Sequence, residues 1–285
     1  MNPIEYKAIT DYVFRSCGIV LTEDKEYLVK QRLTPVLPLI GFKDLSELAR
    51  HLMTGASNFV IREKVVNAMT TNETSWFRDG HPFDAFREKI LPDLFALIRE
   101  RKLRQIQRRG PKVSIWSAAA STGQEAYSMG MLIADAVRLS GMGTVTMEDF
   151  GITGTDISSD ALSKAIQGKY TVLDVGRGLP HDLRDRYFVL SGDSYYVKED
   201  LRKMMNFKLL NIQDAFTHIG GFDVIFCRNI LIYFTNEAKK KILSQFYQIL
   251  APRGYLLLGA AENIYNLNDD FKTERYGLTT LYRKP

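Results

Sequence analysis

The stretch Val113–Ser128 reads VSIWSAAASTGQEAYS, and it determines the fold that we predict for the rest of the chain. Its first four residues, Val113–Trp116, have the apolar character of a short buried strand. A run of small residues follows as far as Gly123, and a helix is predicted to begin at Thr122 or Gly123. A strand, a tight loop and a helix N-terminus together form the nucleotide-binding corner of a Rossmann-like unit.

The loop of this corner indicates the kind of ligand that it binds. Small side chains let a ligand lie directly against the backbone, and the first N–H groups of the following helix point toward it. The phosphate-binding fingerprint G-x-G-x-x-G is absent from the chain. We therefore expect a ligand that carries an adenosine but no pyrophosphate, and S-adenosylmethionine is the commonest such ligand.

The bulk composition is that of an ordinary globular protein. The chain has 285 residues, enough for one large domain or two modest ones, with 45% hydrophobic and 25% charged residues. Cys17 and Cys227 lie far apart without metal-ligand spacing, so we expect reduced thiols and no metal site. The first residues carry no apolar signal region, and no apolar run approaches the roughly 18 residues of a membrane span. These features predict a cytoplasmic protein without membrane insertion.

The positive charge of the chain is concentrated in one segment. The net charge is +5 and the isoelectric point is near 9.0. The segment Arg99–Lys112 holds seven basic residues and one acid, Glu100. It is either a solvated helix end with its following loop or a surface for an acidic macromolecule. No aromatic residues interleave with these charges, which argues against single-stranded nucleic acid as the partner.

The first seventy residues carry only helical patterns. Three of four helical segments end at glycine or before proline, and one of them, Asp44–Met53, begins with a D-x-x-E capping pattern. The four segments are Ile4–Cys17, Thr22–Leu33, Asp44–Met53 and Asn58–Met69. We therefore predict a small all-helical domain over residues 1–71, a linker over 72–82 that contributes to the site, and a second domain over 83–285.

Strand and helix patterns alternate in the second domain. Alternation at these lengths predicts an α/β fold with a mostly parallel, doubly wound sheet. A helical stretch from Phe83 to about Arg108, with a break near Pro92, precedes the first strand. The predicted strands are Val113–Trp116, Phe150–Thr155, Phe222–Cys227, Tyr255–Gly259 and a last β-rich stretch over Gly277–Tyr282; the predicted helices are Thr122–Leu139, Ser158–Gln167 and Asn236–Leu250, the last followed by a Pro-Arg-Gly turn.

One segment interrupts this alternation. Arg186–Lys198 reads RYFVLSGDSYYVK, with two β-rich runs around Ser191–Ser194. A Gly-Asp turn between two such runs predicts a β-hairpin, and we expect a small inserted β subdomain at about residues 184–205. The insertion either recognises a partner or has a purely structural role.

Two acidic residues follow predicted strands at the nucleotide-binding corner. Asp156 ends the second strand, where an acidic side chain accepts hydrogen bonds from ribose hydroxyls; alternatively it caps the next helix, a role open to Ser158 or Ser159. Glu125 completes the pattern of a capping box with Thr122 and could bond the loop backbone. It could equally approach the amino group of a bound methionine moiety.

Further polar residues lie at the domain junction and after later strands. The junction segment Asn72–Arg78 contains both polar and aromatic side chains, and ligand clefts often form at domain junctions. Arg78 could neutralise a carboxylate of the cofactor or of the acceptor, or it could join the two domains through an ion pair. Arg228, Asn229 and Tyr233 follow a predicted strand, so they lie at the mouth of the ligand crevice. Asn211 lies in a similar sequence context. The four histidines are scattered and follow no nucleophile or metal pattern.

These residues together resemble the chemotaxis receptor methyltransferases of the CheR family. The resemblance runs in family order across roughly residues 5–283 and includes the helical domain and the inserted hairpin. The matching motifs are Asn72-x-Thr74-x-x-x-Arg78, Trp116-Ser-Ala-Ala-Ala-Ser-Thr-Gly-x-Glu125, Thr155-Asp156-Ile157, Asn211-Ile212 and Cys227-Arg228-Asn229-x-x-Ile-Tyr233-Phe234. A single motif is weak, but five in order are specific.

The resemblance implies a Rossmann-like S-adenosylmethionine-dependent methyltransferase domain with an inserted small β-hairpin subdomain, preceded by a small all-helical domain. It implies transfer of a methyl group to glutamate side chains of chemoreceptors, with S-adenosylhomocysteine as the second product. The implied cofactor contacts are Asn72, Thr74, Arg78, Glu125, Asp156, Asn211, Ile212, Arg228 and Asn229. Tyr233 would stand near the transferring methyl group, and Arg78 and Tyr233 would be the catalytic residues that align the acceptor carboxylate.

The implied partner is the cytoplasmic helix bundle of a methyl-accepting chemoreceptor. The helical domain and the Arg99–Lys112 segment are candidates to face this acidic bundle. We expect a monomer that binds neither nucleic acid nor a metal. A glutamate is already ionised at neutral pH, since its ordinary pKa is about 4.3. The reaction therefore needs no general base.

The chain departs from the family pattern at three places. Gln124 and Ala126 stand where relatives often have an acid and a proline, and Leu258–Asn263 replaces a common Gly-His-Ser-Glu-Asn segment. The loop Ser191–Ser194 is shorter than the hairpin loop of relatives that bind a receptor's C-terminal pentapeptide. We therefore expect that this enzyme does not depend on that tether.

Two other functions fit parts of the sequence. A nucleic-acid methyltransferase is favoured by the basic isoelectric point, but the chain lacks the Asn/Asp-Pro-Pro-Tyr and Pro-Cys motifs of those enzymes. A non-catalytic signalling scaffold could bind S-adenosylmethionine or its product, although the presence of Arg78, Asp156 and Tyr233 argues against it. An oxidoreductase fits least, since nothing in the sequence would bind a pyrophosphate.

Overall fold

The N-terminal part of the protein consists of four helices around their own core. The computed structural model describes residues 1–56, 58–105, 110–141 and 143–285. The helices are α1 (Pro3–Cys17), α2 (Glu26–Leu33), α3 (Leu45–Met53) and α4 (Phe59–Met69). Asn2, Asp44 and Asn58 cap α1, α3 and α4 by accepting hydrogen bonds from backbone N–H groups of the first turn. The predicted all-helical domain is confirmed.

A continuous helical run connects the linker to the sheet. It comprises α5 (His81–Ala85), a π-helical turn (Phe86–Ile90) and α6 (Leu91–Leu103). The break that the sequence predicted near Pro92 is this π-helical turn. Pro92 has no N–H to donate to the preceding turn, and a wider turn accommodates the missing bond.

A seven-stranded, mostly parallel sheet forms the centre of the second domain. Its strands are β1 (Val113–Ala118), β2 (Phe150–Asp156), β6 (Met205–Leu209), β7 (Phe222–Cys227), β8 (Leu250–Leu258), β9 (Lys272–Tyr276) and β10 (Thr279–Arg283). The spatial order is β6-β2-β1-β7-β8-β10-β9. The first five strands are parallel, β10 runs antiparallel to β8, and β9 pairs antiparallel with β10. The order reverses between β1 and β7, and ligands bind at such a switch point.

Helices cover both faces of the sheet. The larger ones are α7 (Gln124–Leu139), α8 (Ser159–Gln167) and α12 (Asn236–Ile249). Trp116 in β1 is fully buried, and its indole ring stacks on Phe222 with the ring centroids 5.3 Å apart. The indole N–H donates to Thr155 Oγ1 at 2.9 Å, so this large side chain lies in the core without an unpaired donor. The predicted doubly wound architecture is confirmed.

A small antiparallel sheet is inserted between α8 and β6. It contains β3 (Lys169–Thr171), β4 (Phe188–Ser191) and β5 (Ser194–Val197) in the order β3-β5-β4, with the short helices α9 (Val172–Gly176), α10 (His181–Tyr187) and α11 (Glu199–Arg202) around it. The predicted hairpin is β4–β5, which closes through a two-residue turn at Gly192, where φ is +62°. No pattern in the sequence predicted β3.

Two details of the large sheet differ from the prediction. The Pro-Arg-Gly sequence was expected to be a turn before the strand Tyr255–Gly259, but it lies inside the longer strand β8, which begins at Leu250. The register with β7 shifts there, and Arg253 adopts a φ of +64°, so the segment forms a bulge. Strands β6 and β9 were not predicted. Among the residues that the structure describes, no helix is long and apolar enough to cross a membrane.

Candidate functional site

One cavity of about 250 Å³ lies where the carboxyl ends of β1, β2 and β7 meet. The helical domain and the linker close it from the other side. All ten residues that the sequence singled out line this cavity, namely Asn72, Thr74, Arg78, Glu125, Asp156, Asn211, Ile212, Arg228, Asn229 and Tyr233. Residues far apart in sequence therefore form one site.

The loop after β1 forms the floor of the cavity with its backbone. Ala119 and Ser121 both adopt left-handed conformations, with φ of +61° and +51°. Gly123 has a φ of +95°, and a Cβ there would lie 3.0 Å from the Cβ of Ala165. Only small residues fit this turn, which explains why the sequence SAAASTG follows the strand.

Asp156 is anchored by backbone N–H groups. Its carboxylate accepts hydrogen bonds from Ser121 N at 2.8 Å and from Ser158 N at 2.9 Å. Burial raises the pKa of this carboxyl group, while the backbone donors oppose the rise. The N-cap of α8 is Ser158, whose hydroxyl accepts from Ala161 N. Asp156 is therefore not the cap, and its carboxylate keeps lone pairs for a ligand hydroxyl.

Glu125 does not form the capping box that its spacing with Thr122 suggested. The Thr122 hydroxyl donates to Gln124 instead, and α7 has no side-chain cap. The Glu125 carboxylate accepts from the Ser117 hydroxyl at 2.7 Å and from Arg228 Nη1 at 3.0 Å. The capping interpretation is wrong, and the carboxylate lies in the cavity wall.

Arg228 is a buried cross-link between the linker and the sheet. Its side chain is 1% exposed, and it forms ion pairs with Glu125 at 3.0 Å and with Asp79 at 2.8 Å. Its Nη2 also donates to the main-chain oxygen of Arg78 at 2.7 Å, and the guanidinium lies over the ring of Phe83. Its Nε is buried without a partner among the described residues. The sequence placed this arginine at the crevice mouth but gave no sign of these contacts.

Arg78 lies on a tight turn of the linker. Its neighbours Phe77 and Asp79 have φ of +49° and +69°, and Gly80 has +62°. The Arg78 guanidinium lines the cavity and donates to the Glu73 main-chain oxygen at 3.2 Å. Within the described part of the chain, no carboxylate lies at ion-pair distance from it. The structure therefore does not support the alternative that Arg78 joins the two domains through an ion pair. The positive charge of Arg78 is available to a ligand.

Asn72 and Asn211 connect segments of the cavity wall. The Asn72 side chain donates to the Ser158 hydroxyl at 3.3 Å, and its main-chain oxygen accepts from Ser121. The Asn211 side chain donates to the Ser16 main-chain oxygen at 3.1 Å and so links the end of β6 to α1. Ile212 is buried beside it and supplies apolar surface.

Glu262 was missed by the sequence analysis, yet it organises the loop that carries Asn229 and Tyr233. Its carboxylate accepts from Gly259 N at 2.7 Å, Asn229 N at 2.8 Å and Ile232 N at 3.3 Å. Asn229 adopts a φ of +59° in this arrangement. The only signal in the sequence was a single acid in a short segment that otherwise reads Gly-Ala-Ala-Asn.

The helical domain supplies a wall that composition did not predict. Residues after α1 and along α2 line the cavity: Cys17, Ile19, Val20, Leu21, Lys25, Leu28 and Arg32. Arg32 also donates to the Met69 main-chain oxygen at 2.7 Å and to the Thr71 hydroxyl at 3.0 Å, so it fixes the start of the linker. The charges of this domain nearly balance, and the apolar residues after α1 follow no regular period.

The basic segment Arg99–Lys112 lies away from the cavity. It leads into the amino end of β1, whereas the cavity lies at the carboxyl ends of the strands. Arg101 forms a buried ion pair with Asp223 at 2.6 Å, and Lys102 pairs with Asp149 at 2.6 Å. Arg108 and Arg109 lie outside the described residues. Arg101 and Lys102 therefore have structural partners, and the expectation that this segment faces a receptor bundle stays a prediction.

The cavity presents the groups that an adenosine linked to an amino acid requires. Asp156 offers acceptors for ribose hydroxyls, Glu125 a negative charge for an ammonium, and Arg78 a positive charge for a carboxylate. The small-residue loop and Ile212 offer space and apolar surface for a base. Among the described residues, no cluster could hold a metal ion. These groups fit S-adenosylmethionine, and none of them is arranged to bind a pyrophosphate.

Comparison with known proteins gives two family matches. The profile described as "CheR methyltransferase, SAM binding domain" matches residues 72–278, and "CheR methyltransferase, all-alpha domain" matches residues 4–70. A "Chemotaxis protein methyltransferase" of Vibrio anguillarum is 39% identical over 281 residues, which cover 98% of this chain and 96% of that protein. One of the same name from Vibrio parahaemolyticus is 40% identical over 281 residues, with the same coverage. A "Chemotaxis protein methyltransferase 1" of Pseudomonas aeruginosa is 38% identical over 280 residues, 98% of this chain and 97% of that one.

Proposed function

The chain belongs to the CheR methyltransferase family, and we propose that it transfers a methyl group from S-adenosylmethionine to glutamate side chains of a chemoreceptor. The acceptor would be the receptor's cytoplasmic helix bundle, so the enzyme would act in the cytoplasm. We expect it to act as a monomer.

One observation carries this proposal. The charged groups that line a single cavity at the switch point of the sheet include the carboxylates of Glu125 and Asp156 and the guanidinium of Arg78, which come from different parts of the chain. Glu125 and Asp156 are fixed by partners within the protein, whereas Arg78 has no carboxylate partner among the described residues. This distribution complements a zwitterionic amino acid attached to a ribose.

Different residues would bind different parts of the cofactor. Arg78 would bind its carboxylate and Glu125 its ammonium group, while Asp156 would accept from the ribose hydroxyls. Asn211 and Ile212, at the end of β6, would border the adenine. Asn72, Thr74, Arg228 and Asn229 complete the cavity wall; Arg228 acts there mainly by holding Glu125 and the linker.

When bound, S-adenosylmethionine supplies a methyl group on a positively charged sulfur. An oxygen of the acceptor carboxylate would form the new bond to the methyl carbon, while the carbon–sulfur bond would break and leave its electron pair on the sulfur. No proton moves, because the glutamate is already ionised at neutral pH. The protein therefore has to align the carboxylate and remove water from it. We assign this alignment to Arg78 and Tyr233, which both line the cavity; the Arg78 guanidinium would contact the acceptor while it also holds the carboxylate of the cofactor.

The test is the transfer of labelled methyl from S-adenosylmethionine to a purified chemoreceptor cytoplasmic fragment. We expect base-labile label that disappears when the acceptor glutamates are replaced by alanine. A non-catalytic scaffold would bind S-adenosylhomocysteine without any incorporation. A nucleic-acid methyltransferase would label added DNA or RNA instead, in a base-stable form. Either of those outcomes would contradict the proposal.

We also propose that the reaction does not depend on a receptor C-terminal pentapeptide. The support is the two-residue turn between β4 and β5, where Ser191 pairs directly with Ser194 and leaves little loop to hold a peptide. Calorimetry with the pentapeptide should show no binding. Micromolar affinity would overturn this part of the proposal and leave the methyl transfer untouched.

A further inference from the structure

The inserted β subdomain contacts the linker that carries Arg78 through one buried side chain, Trp76. The indole ring is 1% exposed and does not line the cavity. It makes edge-on contacts with the ring of Tyr170 in β3, at 4.8 Å between the centroids, and with the ring of Phe188 in β4, at 5.3 Å. We call the residues of the subdomain that surround it the Trp76 socket; they are Tyr170, Asp174, Arg177, Gly178 and Phe188.

Both N–H groups of Trp76 donate to main-chain oxygens of the socket. The indole Nε1 donates to the Asp174 oxygen at 3.0 Å, and the backbone nitrogen donates to the Arg177 oxygen at 3.1 Å. The first bond fixes the side chain, and the second fixes the backbone of the linker itself. A buried indole N–H without an acceptor is unfavourable, so the ring is held in this orientation.

Gly178 allows a close approach between the socket and the linker backbone. Its φ is +94°, and a Cβ at this position would lie 2.4 Å from the main-chain oxygen of Trp76. That distance is far inside van der Waals contact, and a backbone oxygen cannot rotate aside as a flexible side chain would. Only glycine fits here without displacing Trp76.

Trp76 lies between linker residues that line the cavity. Thr74 and Ser75 precede it, Arg78 follows two positions later, and all three line the cavity wall. None of the residues described in the inserted subdomain lines the cavity itself. The subdomain therefore acts on the site indirectly, and the linker is the segment that connects it to Arg78.

Arg78 lies between two fixed points of the linker. After it, Asp79 pairs with the buried guanidinium of Arg228 at 2.8 Å. Before it, Trp76 is held by its socket, and the two residues from Trp76 to Arg78 span at most about 7 Å of chain. Phe77 between them already adopts a φ of +49°, which is uncommon for an aromatic residue. A segment so short and so constrained transmits a shift of Trp76 to Arg78.

We propose that Trp76 is a positioning residue for methyl transfer and that the Trp76 socket holds Arg78 at the cavity. The proposal rests on the proposed function, since that function gives Arg78 its role. It assigns the inserted subdomain a task that requires no receptor pentapeptide. The subdomain would support the site whether or not its short hairpin loop binds a peptide.

The test is the variant Gly178→Ala in the full chain, because the added methyl group must displace the main-chain oxygen of Trp76. With a receptor cytoplasmic fragment as acceptor, we expect kcat to fall about tenfold to a hundredfold, the cost of a misplacement of up to about 1 Å. The Kd for S-adenosylhomocysteine in calorimetry should rise about tenfold, because Arg78 would bind its carboxylate.

Two other roles of the socket would give different results. A purely structural role would lower the unfolding midpoint and leave the kcat and the Kd of the folded protein unchanged. A role in partner recognition alone would raise the KM for the receptor fragment and would also leave kcat and Kd unchanged. Either result would overturn the proposal.

The matched control is Gly192→Ala in the turn between β4 and β5. Gly192 also has a positive φ, +62°, but a Cβ there would meet nothing within 4 Å. This variant introduces backbone strain in the same subdomain without the clash, so its kcat and Kd should stay within about twofold of the wild-type values. If Gly178→Ala does not fold, Phe188→Leu removes one ring from the socket and keeps an apolar side chain there. Its kcat should fall and its Kd should rise, each about threefold.

A double variant shows whether the socket acts through Arg78. In the Arg78→Ala background, Gly178→Ala should change the Kd for S-adenosylhomocysteine by less than about twofold, because the group that the socket positions is already absent. Additive effects would overturn the proposal. They would indicate another route, such as the hydrogen bond from the Tyr170 hydroxyl to the Thr122 main-chain oxygen at 2.7 Å.

An equal loss in Gly192→Ala and Gly178→Ala would also overturn the proposal, because strain in the subdomain would then suffice. If the wild-type enzyme methylates no receptor fragment while it binds S-adenosylhomocysteine, the proposed function itself fails. The Kd measurements on the same variants still decide in that case whether the socket positions Arg78.

Discussion

The substitution Asp79→Asn removes a negative charge that holds the linker turn in place. Asp79 accepts from Arg228 Nη2 at 2.8 Å, and the same nitrogen donates to the main-chain oxygen of Arg78 at 2.7 Å. Asparagine tolerates the φ of +69° at this position, so the substitution changes the charge without adding backbone strain. It therefore isolates what the ion pair contributes to the position of Arg78.

The magnitude follows from the burial of the two partners. A hydrogen bond to a charged group contributes about 1.5–3 kcal/mol, and we expect the lower end because 35% of the Asp79 side chain is exposed. A loss of about 1.5 kcal/mol corresponds to a fall of roughly 3–6 °C in the unfolding midpoint for a chain of this size. If the displaced Arg78 stabilises the transition state by about 1.5 kcal/mol less, turnover falls about tenfold.

The assay combines thermal unfolding with the methyl-transfer rate for three variants. Asp84→Asn is the matched control, since Asp84 pairs with Arg87 at 2.9 Å on the surface and both side chains are more than half exposed. It should change stability by less than about 0.5 kcal/mol and leave turnover unchanged. Asp79→Glu should recover part of the lost turnover. Wild-type stability and turnover in Asp79→Asn would refute the role of this ion pair.

Three further predictions concern the cavity itself. Arg78→Ala should lower turnover by orders of magnitude while the unfolding midpoint stays unchanged, and unchanged turnover would remove Arg78 from the mechanism. Glu262→Gln should lower both stability and kcat, because three backbone donors lose a charged acceptor; calorimetric unfolding would show a loss of about 1.5–3 kcal/mol, and a variant with wild-type unfolding would contradict the contact. Since burial raises the pKa of Asp156, acidification protonates its carboxylate at a higher pH than an exposed aspartate, and S-adenosylhomocysteine affinity should fall as the pH drops through that raised pKa. Asp156→Asn should bind weakly and without this pH dependence, and a wild-type affinity that is flat with pH would contradict the assignment.

The nucleotide-binding corner could be predicted because its signal is local. The strand, the small-residue turn and the start of the helix all lie between Val113 and Ser128. In the structure they are β1, the loop after it and the start of α7. The central parallel strands were also predictable, since buried strands read as continuous apolar runs. The strands that were missed, such as β6 and β9, lie at sheet edges and contain exposed, charged residues.

The ten predicted residues line one cavity, while their roles toward a ligand stay predictions and their contacts could not be predicted. The ends of parallel strands indicated Asp156, Arg228 and Asn229, and the other residues came from the junction segment, the start of the following helix and the resemblance to the family. The partners of those residues are long-range: Arg228 reaches Asp79 across 149 positions, and Asn211 reaches Ser16 across 195. No local pattern encodes such pairs, which is why the capping role suggested for Glu125 was wrong.

The cavity wall from the helical domain was unpredictable for a related reason. Ile19, Val20 and Leu21 follow α1 in an irregular segment, and only the packing of the two domains brings them to the ligand site. Composition describes each segment alone, so it could not show that an apolar loop of one domain closes the cavity of the other.

Glutamate methylation is tested by mapping the methylated residues with mass spectrometry after the enzyme has acted on a chemoreceptor cytoplasmic fragment. We predict methyl esters on glutamate side chains, formed by the wild-type enzyme and nearly absent with Arg78→Ala. Methyl groups on lysine, arginine or nucleic acid, or esters formed equally well by Arg78→Ala, would contradict this prediction.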